Sequence, residues 1–444
     1  MKEYVVGLDV GTTKIAVVAG ERMENGKIRV IGFANEVSYG VINGQVENVQ
    51  EASDAIKRAV AEVGQQVGKE IKHVVLGIAG RFVDIEPRSS TITKVSTASK
   101  MIAQEDVDEL LTKVSHIAIG PSYQIVQIIP QDYKVDTISD RTTNPVGVIG
   151  DSLEGRFLIV SANMQNLASV NMCVEMAGLI IDGYVLEPIA SARAVLTADE
   201  LEAGVAVVDI GGGTTDIAIF VDNILQYTKV ISLGGESITG DIKTGCNITS
   251  KQAESFKINH GRAYLTAKEN VDLQTSGDNV AKLVFTNASR ERSAVAVSYT
   301  GLIGIIQARM NEILNRVLME VQNSGCENNL HSNFVFTGGG SKLKGTAEFA
   351  ELKLGKSVRI ATPELHLADG TNNVLKDPIY STAIGLVMMG FDLEDEKDRK
   401  EQNTKKVAEP SQEQNEDTDK KPFFTKLHDG FSNFFKGITE KFKD

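Results

Sequence analysis

Leu8-Asp9-Val10-Gly11-Thr12-Thr13-Lys14-Ile15-Ala16-Val17, near the amino terminus, has a counterpart far downstream in Val208-Asp209-Ile210-Gly211-Gly212-Gly213-Thr214-Thr215-Asp216-Ile217-Ala218-Ile219. Each is an apolar strand-like run, an acidic residue, a glycine-bearing turn with two threonines, and a second apolar run. The separation is too wide for a solenoid repeat and suits two similar domains. Glycine lets the backbone approach an anion closely, and turn amides can then point inward. Asp9 and Asp209 cannot face phosphate without repulsion, so they would hold a Mg²⁺ ion and its waters. Two such hairpins from facing domains would clamp a triphosphate. Either alone reads equally well as an ordinary β-turn; the matched flanks favour the shared site.

A third glycine element, Val335-Phe336-Thr337-Gly338-Gly339-Gly340-Ser341, ends a strand before a helix, where amides and the helix dipole can face a ligand. Gly234-Gly235-Glu236 allows a comparable backbone approach. No GxxxxGK[ST] is present, so this is not a P-loop. No GxGxxG follows the first strand, which excludes a simple dinucleotide fold.

Outward from these motifs, strands are expected at 4–9, 15–19, 28–33 (after the Asn25-Gly26 turn) and 73–78. A helix is expected over 51–67, with Ala52, Ala55, Ile56, Ala59, Val60 and Val63 on one face. Residues 81–163 break this α/β pattern. A helix at 107–117, strands at 123–129 and 156–160, and a turn-rich polar stretch at 130–155 suggest an inserted α+β subdomain. Helices follow at 165–177, 249–257 and 299–322.

The 444 residues, 42% hydrophobic and 24% charged, suffice for two or more packed domains. A formal charge of −13 argues against nucleic acid as the main partner. Cys173, Cys246 and Cys326 are far apart and read as free thiols of a reducing compartment. The six histidines lack metal-binding spacing. The chain opens on a strand-like run with no signal-peptide pattern, and no apolar stretch reaches the ~18 residues of a spanning helix.

After Asp392 the composition turns almost wholly charged or polar, and 391–421 reads as a disordered linker. The last stretch, 422–444, is patterned again. At 100° per residue, Phe424, Leu427, Phe431, Phe434, Phe435, Ile438 and Phe442 share one face. Lys420, Lys421, Lys426, Lys436, Lys441 and Lys443 supply positive charge. Such a helix on a linker would enter an anionic bilayer interface or a partner's groove. Gly430 and Gly437 weaken it in water, as suits a segment that folds on binding.

The two Asp-Gly-Thr hairpins, Glu187-Pro188-Ile189-Ala190 and the late Thr-Gly-Gly-Gly resemble the actin, Hsp70 and sugar kinase superfamily. Within it, Ile129-Pro130-Gln131-Asp132-Tyr133, Asn144-Pro145-Val146-Gly147, Asn259-His260-Gly261 and Tyr380-Ser381-Thr382-Ala383-Ile384-Gly385-Leu386 resemble the FtsA family of bacterial cell-division proteins. The resemblance runs from about residue 4 to 390 and resumes at the tail. It implies an α/β actin-like ATPase fold, with two related halves around a nucleotide cleft and an inserted α+β subdomain.

By that resemblance the first half would comprise 1–80 and 164–203, interrupted by the insertion 81–163. The second would comprise 204–235 and 311–390, with a further subdomain at 236–310. ATP would contact Gly11, Thr12, Thr13, Lys14, Gly211, Gly212, Gly213, Thr214 and Thr215, then Gly235, Glu254, Lys257, Gly338, Gly339 and Gly340 on the adenosine side. Glu187 would join Asp9 and Asp209 around Mg²⁺. Arg309 would contact the acidic C-terminal peptide of the tubulin-like protein FtsZ. The resemblance further implies actin-like filaments, later division proteins as partners, and a septal location on the cytoplasmic membrane face. Hydrolysis would be slow at most. Alternatives of the same fold are a small-molecule kinase, for which no catalytic base can be identified, and a component of a pilus or secretion machine. An Hsp70-like chaperone lacks support, since no peptide-binding β-domain follows the core.

Overall fold

The computed structural model of the chain describes residues 3–42, 44–79, 82–93, 101–136, 140–266, 268–269, 271, 280–286 and 292–407. The first lobe opens with β1 (Val5–Val10), β2 (Lys14–Arg22) and β3 (Ile28–Val37), an antiparallel meander. The short hairpin β4 (Val41–Ile42) and β5 (Gln45–Val46) leads into α1 (Val49–Val67). The buried face of α1 is the stripe read from its spacing, with Ser53 added. Asn48 caps its start, and Gly68, at φ 72°, ends it. Strand β6 (His73–Ile78) then runs parallel to β1.

The chain next leaves the lobe. Strand β7 (Val83–Thr93), α2 (Gln104–Ser115), β8 (Tyr123–Val135) and β9 (Ser152–Asn163) form a three-stranded sheet, ordered β7-β9-β8, with its own core under α2. Entry and exit are stitched together where Asn163 N donates to Phe82 O at 2.8 Å, as expected of a domain inserted at a single point. Its strands are longer than the sequence suggested, and 130–135 and 152–155 belong to the sheet rather than to a turn. Register shifts absorb Pro130, which cannot donate to a ladder. Asp132, 3% exposed, is tolerated in the sheet because Arg141 and Arg156 both bond its carboxylate.

Helix α3 (Met164–Met176) and β10 (Ile180–Leu186) complete the first sheet, ordered β10-β6-β1-β2-β3. Helices α4 (Glu187–Val195) and α5 (Ala198–Ala203) follow. The second lobe repeats the plan. Strands β11 (Val205–Ile210), β12 (Thr215–Val221) and β13 (Ile224–Ile231) form a meander, and α6 (Gly235–Cys246), α7 (Ser250–His260), the hairpin β14 (Val280–Thr286) and β15 (Arg292–Ser298), and α8 (Tyr299–Asn323) come next. Strand β16 (Phe334–Thr337), α9 (Thr346–Leu354) and β17 (Val358–Ile360) close a sheet ordered β13-β12-β11-β16-β17. Each sheet is therefore three antiparallel strands followed by two parallel ones, and the internal repeat is a repeat of topology.

The last helix, α10 (Ser381–Val407), departs from expectation twice. Although assigned by sequence to the second lobe, its start packs on β1, β2 and β6 of the first. It also continues to Val407, through the first part of the stretch read as a linker. Glu, Lys and Gln are good helix formers even where they bury nothing, and Arg22 anchors Asp395 through two bonds of 2.6 and 2.5 Å. The remaining linker and the tail, with Phe424, Leu427, Phe431, Phe434, Phe435, Ile438 and Phe442, lie outside the described residues. Helices α4 and α10 are stacked between the sheets: Val205, Val207, Ala218 and Phe220 face this shared core, whereas Ala206, Val208, Ile217 and Ile219 face the core under α6 and α8. That alternation is the period-2 consequence of a strand buried on both faces.

Candidate functional site

The two repeated hairpins meet. Gly11 N donates to Lys14 O at 3.0 Å, and Gly211 N donates to Thr214 O at 2.9 Å, so both turns have one geometry. They face each other so closely that a Cβ on Gly212 would stand 2.7 Å from Thr13 Oγ1. Between them opens a cleft enclosing about 150 Å³. Its walls include Gly11, Thr12, Thr13, Lys14, Gly211, Gly212, Gly213, Thr214, Gly338 and Gly339, with Asp9, Glu187, Asp209 and Asp216. Gly338, at φ 82°, lies against the Asp209 carboxylate, where any side chain would collide. The second loop is also held from behind: Gly235 N and Glu236 N, at the start of α6, donate to Gly211 O and Gly212 O at 2.9 and 2.8 Å.

Among the described residues, four carboxylates thus share one cleft with a single lysine on its wall. Lys14 pairs with Asp9 at 3.3 Å and lies over the Tyr380 ring, 5.3 Å from its centre. Burial, then the neighbouring Asp9, Asp216 and Asp209, pushes the Glu187 carboxyl well above the ordinary range, against the pull of Lys14. Burial and Asp209 do the same to Asp216, although the Thr214 hydroxyl opposes the shift by donating to its Oδ2 at 3.1 Å. Asp216 Oδ1 is buried without a hydrogen bond. Burial also raises Asp209, and the Ser191 hydroxyl counters by donating to Oδ2 at 2.5 Å.

This concentration of like charge fits a cation, which would lower every one of those carboxyls. Among the described residues no three His, Cys, Asp or Glu side chains converge closely enough to bind a metal directly. The fit is therefore to a hydrated divalent ion, held through its waters.

Other residues singled out by sequence lie off the cleft wall. Thr215 is fully buried and its hydroxyl donates to Leu233 O at 2.8 Å. Gly340 is packed against Ile210. Lys257 is saturated by Gly235 O and Thr239 Oγ1, both at 2.9 Å, and by Glu254 at 2.7 Å, so Gly235, Glu254 and Lys257 form one network at the start of α6. Arg309 grips Asp241 of α6 through two bonds, 2.7 and 3.0 Å, and Glu312 at 2.5 Å, rather than standing free. Sequence reading missed Asp216, Ser191, Tyr380 and Thr382. An acid inside the apolar run of β12 was the available signal for Asp216. Thr382 lines the cleft, and Ser191 and Tyr380 touch its Asp209 and Lys14, only through tertiary packing.

Two lobes of one strand order around an acidic, glycine-walled cleft, with a domain inserted in the first lobe, define an actin-like fold. A solved PilM-PilN type IV pilus biogenesis complex shares it, with TM-score 0.60 and 16% identity over 87% of this chain and 98% of that one; at that identity the likeness concerns fold alone. In sequence, residues 206–385 match the family described as "Cell division protein FtsA", and residues 87–161 match the "SHS2 domain inserted in FTSA". Cell division protein FtsA of Neisseria meningitidis is 34% identical over 394 residues, 88% of this chain and 91% of that protein. That of Pseudomonas aeruginosa is 32% identical over 393 residues, 88% and 89% of the two chains. The chain belongs to the FtsA family of cell division proteins.

Proposed function

We propose that this protein binds Mg-ATP between its lobes, assembles into actin-like filaments, and tethers FtsZ to the cytoplasmic face of the membrane through residues 422–444. The observation that carries the reading is the meeting of the paired loops at Thr13 and Gly212 above four carboxylates. Loop amides and Lys14 would take the phosphates, and Asp9, Asp209, Asp216 and Glu187 would hold the ion's water shell. Magnesium would neutralise phosphate charge there. Because its contacts come from both lobes, the nucleotide would favour the closed conformer by its differential affinity for it.

Membrane attachment is supported by the tail's sequence pattern; among the described residues no helix is long and apolar enough to cross a membrane. The FtsZ peptide would dock on the subdomain of 236–310, where its acidic groups would exchange with Asp241 for Arg309.

Liposome flotation with ATP and labelled FtsZ tests the whole reading, comparing the full chain with one ending at Lys421. FtsZ rising only with the full chain is the expected result. A full chain that floats without FtsZ removes the partner assignment; a full chain that stays down removes the membrane tether. Separately, Asp209→Ala is expected to weaken Mg-ATP binding by calorimetry, and unchanged affinity would remove the clamp.

A further inference from the structure

Asp209 and its counterpart Asp9 are held in different ways. Asp9 faces a charge, Lys14. Asp209 is gripped by two hydroxyls from the helices stacked between the lobes. Ser191 Oγ of α4, fully buried, donates to Asp209 Oδ2 at 2.5 Å. Thr382 Oγ1 of α10 donates to the same oxygen at 3.2 Å, and the two hydroxyls lie 3.0 Å apart. Both bonds land on Oδ2. On the other side a Cβ on residue 338 would stand 2.1 Å from Oδ1, so the glycine there keeps a side chain from covering that oxygen.

We propose that Ser191 and Thr382 are positioning residues for the divalent cation of the nucleotide site, fixing Asp209 so that one oxygen belongs to the central helices and the other is kept for the ion's water shell. The proposal rests on the Mg-nucleotide reading above and deepens it. Hydrogen bonds to an ionised acceptor are strong and directional, so two of them set the carboxylate plane before any ligand arrives. Preorganisation of this kind acts on the metal and not on the nucleotide's other contacts. The same three-way junction also ties Asp209 of the second lobe to α10, which packs on the sheet of the first.

The test is calorimetry on the full chain with ATP, once with excess Mg²⁺ and once in EDTA. Ser191→Ala is expected to lower Mg-ATP affinity about tenfold while leaving metal-free ATP affinity within about twofold. Thr382→Val, whose bond is longer, is expected to lose about threefold in the same selective manner. Thr382→Ser, which keeps the hydroxyl, is expected to hold near wild type. In an Asp209→Asn background, Ser191→Ala is expected to cost nothing further. Melting of the ligand-free variants confirms folding; should Ser191→Ala not fold, the partly exposed Thr382 pair gives the same readout. Equal losses with and without Mg²⁺ would mean a merely structural role and overturn the proposal, as would no loss at all. A wild type that binds no ATP under either condition overturns the nucleotide reading and this inference with it, whereas wild-type Mg-ATP binding with unselective variants sinks the inference alone.

Discussion

Asp216 sits opposite Asp209 in the β11–β12 ladder, where the first lobe has the neutral Ala16 opposite Asp9. Its buried Oδ1 has no hydrogen bond, so its ionised form is poorly accommodated without a cation. The folded carboxyl holds its proton to a higher pH than the unfolded one. Its contribution to stability is therefore present below the ordinary carboxylate range and lost as pH rises through the folded value. Asp216→Asn is expected to stabilise the ligand-free protein at pH 8 by about 1 kcal/mol, flatten that pH dependence, and weaken Mg-ATP binding. Urea midpoints at pH 5 and 8 check the first two effects, and calorimetry the third. A variant less stable than wild type at pH 8 would refute the account. His366 has the opposite sign. Burial, then Arg193, lowers it to about 4, and its Nε2 lies 3.1 Å from Leu196 O. The unfolded imidazole takes a proton near 6.5 and the folded one only near 4, so acidification through that window favours unfolding, by about 3 kcal/mol at most. His366→Gln is expected to remove this loss, measured as the difference between wild-type and variant midpoints at pH 4.5 and 7.5. The acid in β12 was visible in the sequence. That the half-buried His366 lies near Arg193 was not, because nothing in its neighbourhood of chain foretells the packing.

Helices α4 and α10 cross where Gly385 lies flush against the backbone of Ala190, and any Cβ at Gly385 would overlap the Ala190 carbonyl. In most exposed helices Gly→Ala stabilises by relieving chain entropy. Here sterics outweigh that gain, since overpacking forces backbone shifts. Gly385→Ala is expected to cost about 3 kcal/mol and to weaken the Ser191–Thr382 junction, which lies one residue past Ala190 on α4 and three before Gly385 on α10. Chemical denaturation reads the first effect; an unchanged midpoint would mean the helices separate freely. Elements of strong period were legible from sequence. α1 has its apolar stripe as read, and the two hairpins fell where their glycines and flanking apolar runs put them. Elements fixed by partners were not. The far part of α10 carries no apolar periodicity, and its base is held by tertiary contacts: Arg22 bonds Asp395 and lies 5.2 Å from the Phe391 ring centre, and Arg193 bonds Asp392 at 3.3 Å.

The whole molecule is a layered stack in which one pair of central helices serves both sheets, and the inserted domain touches more than the lobe that carries it. Gln131, in the middle of β8, donates from Nε2 to Leu225 O at 3.0 Å and Gln226 O at 3.3 Å, both at the start of β13 in the second lobe. The insertion therefore bridges the lobes outside the cleft, at a residue whose motif suggested family resemblance but no contact. Domain insertion at one point is legible from a break in the α/β pattern; a bridge across lobes is not, because it depends on how three units dock. Gln131 is 9% exposed, so its amide is largely cut off from compensating water. Losing one such bond is worth about 1 kcal/mol, whereas a carboxylate facing two carbonyls adds repulsion and desolvation. Gln131→Ala is thus expected to lower stability by about 1 kcal/mol and Gln131→Glu by more, despite its closer shape. Hydrogen exchange should show the β13 amides, 224–231, opening faster in both variants, while the core amides of β1 and β6 keep their protection. If Glu is tolerated as well as Ala, the amide is not the bridge; if β1 and β6 open equally, the insertion is not docked independently of the first lobe's core.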